Sequence, residues 1–200
     1  QELERKAQQA IESKHYGQAV QICSALIAAK PKADYFFFRG LAYRGQKEFD
    51  NAIKDFTQSI LLDPGRADCY LERGYTRVGT GSYEEAVDDF SKVLELASGN
   101  AEALSLRAYS LLNLGQSKRA VQDIDQAIRA KSDDPAFYKI RGDIHSAMGD
   151  HGKAVEDYDR ALELKPNDPI VLNNRGVALA NLGRTKEAVR DLKQAMTEAP

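Results

Sequence analysis

Arginine and aspartate recur at regular intervals along this sequence of 200 residues. The repeated residues are Arg39, Arg73, Arg107, Arg141 and Arg175, together with Asp55, Asp89, Asp123, Asp157 and Asp191. A row of guanidinium groups could bind an acidic ligand, because each group offers a planar fork of N–H donors to a carboxylate. A matched aspartate accompanies every arginine, however, and this pattern favours ion pairs inside the chain over a ligand site.

The other residues of catalytic or metal-binding type form no pattern that would support such chemistry. His15, His145 and His151 have no second histidine one helical turn away and no cysteine at ligand spacing. Cys23 and Cys69 lie far apart in the sequence and form no CxxC pair. No Ser-His-Asp or Cys-His arrangement can be placed by spacing. We therefore expect no catalytic site, no metal site and no cofactor.

A repeat of 34 residues accounts for the spacing of the arginines and aspartates. Alanine recurs at separations of 33, 34, 34, 34 and 34 residues, at Ala19, Ala52, Ala86, Ala120, Ala154 and Ala188. Glycine keeps the period at Gly40, Gly74, Gly142 and Gly176, and proline closes repeats at Pro31, Pro64, Pro166 and Pro200. Such a period indicates an array of helical repeats. The repeats span approximately 1–32, 33–66, 67–100, 101–134, 135–168 and 169–200, within one expected solenoid domain over 1–200.

Each repeat carries two helical patterns separated by a short polar turn. In the second repeat, Phe36, Gly40 and Tyr43 share one face of a first helix. Ala52 and Phe56 share one face of a second helix. Two antiparallel helices approach closely only where one side chain is short. We therefore expect Gly40 to lie against Ala52, with the ring of Phe56 beside the contact.

The turn between the two helices determines which residues face each other. Glycine at Gly81, Gly115, Gly149 and Gly183 suits a left-handed C-cap that ends the first helix. In an antiparallel hairpin, residues equidistant from the turn lie opposite each other, so Arg39 should pair with Asp55. The same prediction applies to repeats two to six, whereas the first repeat has Lys6 and Ile22 at these places.

These residues resemble the tetratricopeptide repeat (TPR), which combines a large residue, glycine, an aromatic, alanine, a second aromatic and a closing proline. The second repeat matches at Phe36, Gly40, Tyr43, Ala52, Phe56 and Pro64. The fifth matches at Tyr138, Gly142, Ala154, Tyr158, Ala161 and Pro166. The resemblance covers essentially the whole chain and implies an all-α fold, a right-handed superhelical solenoid of antiparallel helix pairs. It also implies that the first helices line a concave groove, in which partners bind as extended peptides or helices.

Residues one helical step away from the packing face of the first helices are the candidates for contact with a peptide. They are Asp34, Phe37, Phe38, Leu41, Asp68, Leu71, Tyr75, Glu102, Ser105, Tyr109, Lys139 and Asn173. Aromatic side chains beside carboxylates suit a partner segment with apolar anchors and basic residues. The alternative is that Phe37, Tyr75 and Tyr109 pack between neighbouring first helices.

Two binding modes of the family are not supported by these residues. A carboxylate clamp needs lysine and asparagine on one first helix, but Lys139 is followed one turn later by Asp143. An asparagine ladder needs asparagine at one fixed place in each repeat. That place holds Phe38, Glu72, Leu106, Ile140 and Asn174.

Charge and composition narrow the class of partner. The formal net charge is −2, which gives the chain no general attraction to nucleic acid. No apolar run is long enough to span a membrane. We therefore predict a scaffold that binds a protein partner, with no nucleic-acid partner and no membrane span. Two cysteines in a chain of this size favour a reducing compartment such as the cytoplasm, with an exported mature form as the alternative.

Two other functions stay open at this stage. One is a self-associating structural protein, and the other is a targeting domain of a larger protein that could be an enzyme. A homo-oligomer would form through the last repeat, because the sequence shows no polar capping helix after it. Val189, Leu192 and Met196 would then be partly bare.

Overall fold

A computed structural model describes residues 2–198 of the chain. The described residues form twelve α-helices and no strand, which confirms the all-α class predicted from the sequence. The helices are α1 (Glu2–Glu12), α2 (Tyr16–Ala29), α3 (Ala33–Gly45), α4 (Phe49–Leu62), α5 (Ala67–Gly79), α6 (Tyr83–Leu96), α7 (Ala101–Asn113), α8 (Ser117–Ala130), α9 (Pro135–Ala147), α10 (His151–Leu164), α11 (Pro169–Asn181) and α12 (Thr185–Glu198). Odd-numbered helices are the first helices of the six repeats, and even-numbered helices are the second.

The contacts between helices divide the chain into two compact units, Gln1–Ser98 and Gly99–Pro200. We call them the amino-terminal unit and the carboxy-terminal unit, and each holds three of the repeats. Inside a unit, every first helix packs against the second helix of its own repeat, and each first helix after the first also packs against the second helix of the preceding repeat. First helices of adjacent repeats also contact each other, as α1 and α3 do in the amino-terminal unit.

The repeated glycine of the first helix makes room for a ring on the second helix. A Cβ atom on Gly40 would lie 2.7 Å from Cε1 of Phe56, closer than real Cβ atoms approach another side chain. The atoms nearest to that position all belong to the Phe56 ring, which the sequence placed beside the contact. In the fourth repeat the corresponding positions hold Ala108 and Ile124, both buried.

The turns inside the hairpins use a left-handed residue at one fixed place. The turn glycines have φ of 78° at Gly81, 72° at Gly115, 84° at Gly149 and 74° at Gly183. In the first two repeats the same place is occupied by Lys14, with φ of 60°, and Lys47, with φ of 62°. Side chains with a Cβ atom rarely adopt this conformation, so glycine relieves strain there and lysine does not.

The N-cap of the first helix differs between the two units. In the carboxy-terminal unit, the side chain of Asn100 accepts a hydrogen bond from the backbone N–H of Ala103, at 2.9 Å. The side chains of Asp134 and Asp168 cap α9 and α11 in the same way. In the amino-terminal unit the cap positions of α3 and α5 hold Lys32 and Arg66, which make no side-chain cap.

Candidate peptide-binding face

Each repeated arginine forms a salt bridge with an aspartate of its own repeat. The Nε and Nη2 atoms of Arg39 donate to the two carboxylate oxygens of Asp55 at 2.7 and 2.9 Å. The same pairing joins Arg73 to Asp89, Arg107 to Asp123, Arg141 to Asp157 and Arg175 to Asp191. The aspartates are buried while the arginines are partly covered. Two parallel hydrogen bonds fix the register of the two helices as well as their distance.

The third nitrogen of most of these arginines contacts the preceding repeat. Nη1 of Arg39 donates to Ser24 Oγ at 3.0 Å, and Nη1 of Arg141 donates to Asp125 Oδ1 at 2.9 Å. The corresponding acceptors are Thr57 for Arg73 and Asp159 for Arg175. The sequence analysis missed these second acceptors, although Ser24, Thr57, Asp125 and Asp159 recur two residues after the ladder position of their repeats.

The hydrogen bonds of the repeated arginines occupy the guanidinium N–H donors that an acidic ligand would need. Burial opposes the charge of Arg141, but hydrogen bonds to Asp157 and Asp125 outweigh it and raise the arginine's pKa above its usual value. Asp157 also contacts Nδ1 of His145 at 2.9 Å, and Asp89 accepts from Arg77 at 2.6 Å. Most of these guanidinium groups already donate hydrogen bonds to acceptors of their own repeat and of the preceding repeat. The arginine row is therefore part of the scaffold in this structure.

An arginine at the start of α5 neutralises two of the predicted groove acids. Arg66 contacts Asp34 at 2.5 Å and Asp68 at 2.7 Å, and its guanidinium lies over the ring of Phe37 at 4.6 Å from the centroid. Partial burial disfavours the charge of Asp68, but the hydrogen bond and charge of Arg66, together with the N–H of Cys69, outweigh it and lower the pKa of that carboxyl. The expected acidic character of this face is therefore reduced by its own arginine.

Further along the first helices of the amino-terminal unit, an arginine holds an exposed tyrosine. Nη2 of Arg44 lies 2.9 Å from Oε2 of Glu72, and the guanidinium lies 5.1 Å from the centroid of the Tyr75 ring. Tyr75 is 50% exposed. A cation over an aromatic face attracts the ring electrostatically. The pair therefore presents Tyr75 to solvent in a fixed orientation.

Two clefts lie on this face. The larger has a volume of about 560 Å³ and includes Leu41, Arg44, Glu72 and Tyr75 in its lining. Ile11, Tyr16 and Phe49 add apolar wall, and Gly45 and Lys47 complete the lining. The smaller, of about 320 Å³, is lined by Glu4, Arg5, Gln8, Asp34, Tyr35 and Phe38. Four predicted residues, Asp34, Phe38, Leu41 and Tyr75, thus line clefts of the amino-terminal unit.

Two of the predicted groove residues are buried and do not form part of an open surface. Phe37 is only 9% exposed, because its ring packs 6.0 Å from that of Phe56 and is covered by Arg66. Ser105 is buried in α7 and donates its hydroxyl hydrogen to the carbonyl of Glu102 at 2.9 Å. Phe37 thus packs against Phe56 of α4 and lies beneath Arg66.

The corresponding face of the carboxy-terminal unit is organised around one carboxylate. Asp143 accepts hydrogen bonds from Lys139 at 2.8 Å, from the hydroxyl of Tyr158 at 2.8 Å and from the amide of Asn174 at 2.9 Å. Burial and the nearby Asp143 raise the pKa of Tyr158, so the hydroxyl stays a donor. Lys139 is therefore partly committed to an internal contact, and Asn173 on the same face is exposed.

The remaining predicted groove residues lie apart from these clefts. Asp68 and Glu102 are exposed, while Leu71 and Tyr109 are half-buried. The two cysteines are free and buried, and burial raises the pKa of Cys23 and of Cys69 to about 11. Among residues 2–198, no group of three or more His, Cys, Asp or Glu side chains is placed to hold a metal ion. In that same range, every helix is too short or too polar to cross a bilayer.

Repeat families match most of the chain. Three families described as "Tetratricopeptide repeat" match residues 33–66, 71–135 and 171–198 respectively, and one described as "TPR repeat" matches residues 142–183. The chain belongs to the tetratricopeptide repeat family. Repeats of this family are typically non-catalytic modules of protein interaction, and the chain is a scaffold of that class.

Solved structures of TPR proteins share the fold. A tetratricopeptide repeat protein from Parabacteroides merdae is 18% identical and covers 100% of this chain and 79% of its own, with a TM-score of 0.87. A crystal structure of MamA is 25% identical over 80% of this chain and 93% of its own, with a TM-score of 0.72. YrrB, described as a TPR protein with an unusual peptide-binding site, is 21% identical over 89% and 92%, with a TM-score of 0.70. No curated protein matches the sequence.

Proposed function

We propose that the chain binds an extended or helical segment of a partner protein on the first-helix face of the amino-terminal unit. The observation that carries the proposal is the larger cleft, where exposed Tyr75 stands beside Leu41 and the Arg44–Glu72 pair. Exposed aromatic side chains held in place by neighbours are typical anchors of protein interfaces. YrrB, a TPR protein with an unusual peptide-binding site, offers a parallel in another chain of this fold.

The lining of the larger cleft indicates which side chains the partner segment should carry. A space of about 560 Å³ walled by Ile11, Tyr16 and Phe49 accepts one or two apolar side chains. A basic residue of the segment would find Asp34, whose side chain is 61% exposed although it contacts Arg66. We therefore infer that the apolar anchor supplies most of the affinity and that the basic residue adds orientation.

A peptide array followed by titration tests this proposal. Peptides selected by binding to the chain are titrated against the Tyr75→Ala and Leu61→Ala variants. Leu61 is a matched control, because it is an exposed apolar residue of the same unit on the second helix α4. Tyr75→Ala should weaken binding about tenfold or more, while Leu61→Ala should have little effect. Equal affinity of both variants and the unchanged chain would move the site away from this cleft.

Self-association is a second candidate function, and one specific observation favours it. On α12, Val189 is exposed and Met196 is 79% exposed, so one helix carries two uncovered apolar side chains. A second copy of the chain could cover them. Light scattering over a range of concentrations tests this, since a constant monomer mass would remove the candidate. If a dimer forms, Met196→Lys should dissociate it.

A further inference from the structure

A cleft in the carboxy-terminal unit lies away from the first-helix face, at the turn between α7 and α8. It has a volume of about 520 Å³ and is lined by Gly115, Gln116, Ser117, Lys118, Arg119 and Met148. Met148 is the residue that ends α9 of the next repeat, and it is 44% exposed. The cleft therefore combines an uncovered thioether side chain with the first turn of a neighbouring helix.

The amino-terminal unit contains the equivalent cleft, 68 residues earlier, with a different distribution of charge. That cleft, of about 460 Å³, is lined by Lys47, Glu48, Phe49, Asp50, Asn51, Lys54 and Thr80. At corresponding positions, Asp50 becomes Lys118, Asn51 becomes Arg119 and Thr80 becomes Met148. The lining of the amino-terminal cleft thus balances two lysines with two acids, whereas the carboxy-terminal cleft has two cations, no acid and an apolar facing residue.

An aromatic column is interrupted at the carboxy-terminal cleft. The first residue of the second helix is Tyr16, Phe49 and Tyr83 in the first three repeats and Ser117 in the fourth. In the first repeat this ring lies against the next first helix, since a Cβ atom on Gly45 would meet Tyr16. The serine side chain at position 117 is too short to occupy the space of a ring, so the fourth repeat leaves room for one outside side chain.

The two cations beside this space are available to a ligand. Lys118 and Arg119 are exposed, and neither forms an ion pair with another residue of the described range. Nη1 of Arg119 donates to the amide oxygen of Gln116 at 2.6 Å, which orients the guanidinium and leaves its other donors open. Cations in the first turn of a helix oppose the helix dipole, and α8 has no acidic residue there to offset them.

We propose that this cleft binds an acidic peptide segment of a protein partner. One apolar side chain of the segment enters beside Met148, and flanking carboxylates pair with Lys118 and Arg119. A thioether adapts to apolar side chains of different shapes, so the anchor can be leucine, methionine or phenylalanine. The cations supply electrostatic selection, because the equivalent cleft in the amino-terminal unit offsets its two lysines with Glu48 and Asp50 and offers an acidic segment no net attraction.

Nuclear magnetic resonance on the full chain locates the site with a defined probe. The probe is a synthetic peptide with one leucine flanked on each side by two glutamates, and its controls replace leucine by alanine or the glutamates by lysines. The acidic peptide should shift the backbone amide signals of Ser117, Lys118 and Gly149, and the lysine peptide should not. Shifts confined to other parts of the chain would overturn the proposal.

Substitutions test separately how much the two cations and the apolar contact with Met148 contribute to binding of the acidic peptide. The double variant Lys118→Glu, Arg119→Glu should weaken binding of the acidic peptide about tenfold or more, and Met148→Thr by a smaller factor. Ser117→Phe keeps both cations but fills the space, so it should also weaken binding. Unchanged affinity in the double variant, with an unchanged melting temperature, would overturn the proposal. Tyr75→Ala should have no effect, which separates this site from the first-helix cleft.

Competition between the acidic peptide and other polyanions tests which chemical class of ligand the cleft binds. A single-stranded oligonucleotide and vesicles rich in phosphatidylserine are added at charge concentrations matched to the peptide. If the acidic peptide retains its advantage over both, the surface selects a carboxylate segment with an apolar anchor. If either polyanion displaces the peptide equally well, and the alanine control binds as tightly as the leucine peptide, the surface is a general anion patch and the proposal is wrong.

Discussion

The amino-terminal and carboxy-terminal units use the same repeat but place their charges at different positions. At the start of the first helices, the amino-terminal unit has Lys32 and Arg66, which pair with groove acids, whereas the carboxy-terminal unit has Asp134 and Asp168, which cap their helices. The second acceptors of the arginine row follow the same division. They are hydroxyl groups in the amino-terminal unit and carboxylates in the carboxy-terminal unit.

The residue at the N-cap position of the first helix therefore has a different role in each unit. A cation at the cap position leaves the helix N–H groups to solvent but reaches across to the neighbouring first helix, where it orders the acids and rings of the binding face. An acid at the same position stabilises its own helix and contributes nothing to that face. The arginine at the cap position therefore supports the proposed binding surface of the amino-terminal unit, and the carboxy-terminal unit has the better-capped helices.

The largest expected effect concerns the arginine row. Asp89→Ala leaves Arg73 with only the Thr57 hydroxyl and deprives Arg77 of its carboxylate, so we expect a loss of about 3 kcal/mol or more in the free energy of unfolding. Asp157→Ala should cost less, because Arg141 keeps the Asp125 carboxylate at 2.9 Å.

Urea unfolding of the two variants measures this difference, with Asp88→Ala as the control. Asp88 is the neighbouring acid on α6 and is exposed, so its removal should change stability little. Equal losses for Asp89→Ala and Asp157→Ala would show that hydroxyl and carboxylate acceptors are equivalent here.

Removal of a cap in the carboxy-terminal unit should have the next largest effect. The side chain of Asp168 accepts from the N–H groups of Ile170 and Val171, and Asp168→Ala should cost about 0.5–2 kcal/mol of unfolding free energy. Partial burial opposes the charge of Asp168, but Lys165 and the two N–H groups outweigh it and lower its pKa below the usual 3.8.

The lowered pKa of Asp168 gives this effect a defined pH dependence. The stabilisation is present above pH 3.8 and is lost as the pH falls through the lower folded-state pKa. Thermal melts at a series of acid pH values should therefore show the variant and the unchanged chain converging in that range. A constant difference down to the lowest pH would contradict the role of the ionised carboxylate.

A smaller gain is expected at the left-handed turn of the second repeat. Lys47→Gly should raise the unfolding free energy by about 1 kcal/mol, since φ is 62° there and glycine removes the Cβ strain. Gly149→Lys in the carboxy-terminal unit is the reverse change, at φ of 84°, and should lower stability by a similar amount. Melting temperatures that move in the same direction for both variants would contradict this explanation.

The smallest change in stability should come from exchanging the cap residue itself. Arg66→Asn adds a cap to α5 but removes the contacts with Asp34 and Asp68, so the two effects should cancel to within about 1 kcal/mol. The freed carboxylates should increase affinity for a peptide with basic residues. Fluorescence titration of one basic and one neutral peptide tests this, and an unchanged preference would show that Arg66 does not control the charge of the face.

The repeat and the ladder pairs were visible in the sequence because each depends on spacing inside one hairpin. Arg39 and Asp55 lie equally far from their turn, so their pairing needs no knowledge of the neighbouring repeats. The burial of Phe37 does depend on them, because its cover comes from Arg66, the N-cap residue of α5, the first helix of the following repeat. The neutralisation of Asp34 has the same origin. Contacts between repeats were thus the part that the period alone did not predict.

The second acceptor of each arginine has a consequence for how the array comes apart. Arg141 is held by Asp157 of its own hairpin and by Asp125 of the one before, so loss of either hairpin leaves a charge half-solvated in the other. In an array where each element contacts only its neighbours, such a shared residue acts as a nearest-neighbour coupling. Fraying of one helix pair therefore destabilises the folded state of the adjacent pair. Within a unit, the hairpins should consequently melt together rather than one at a time.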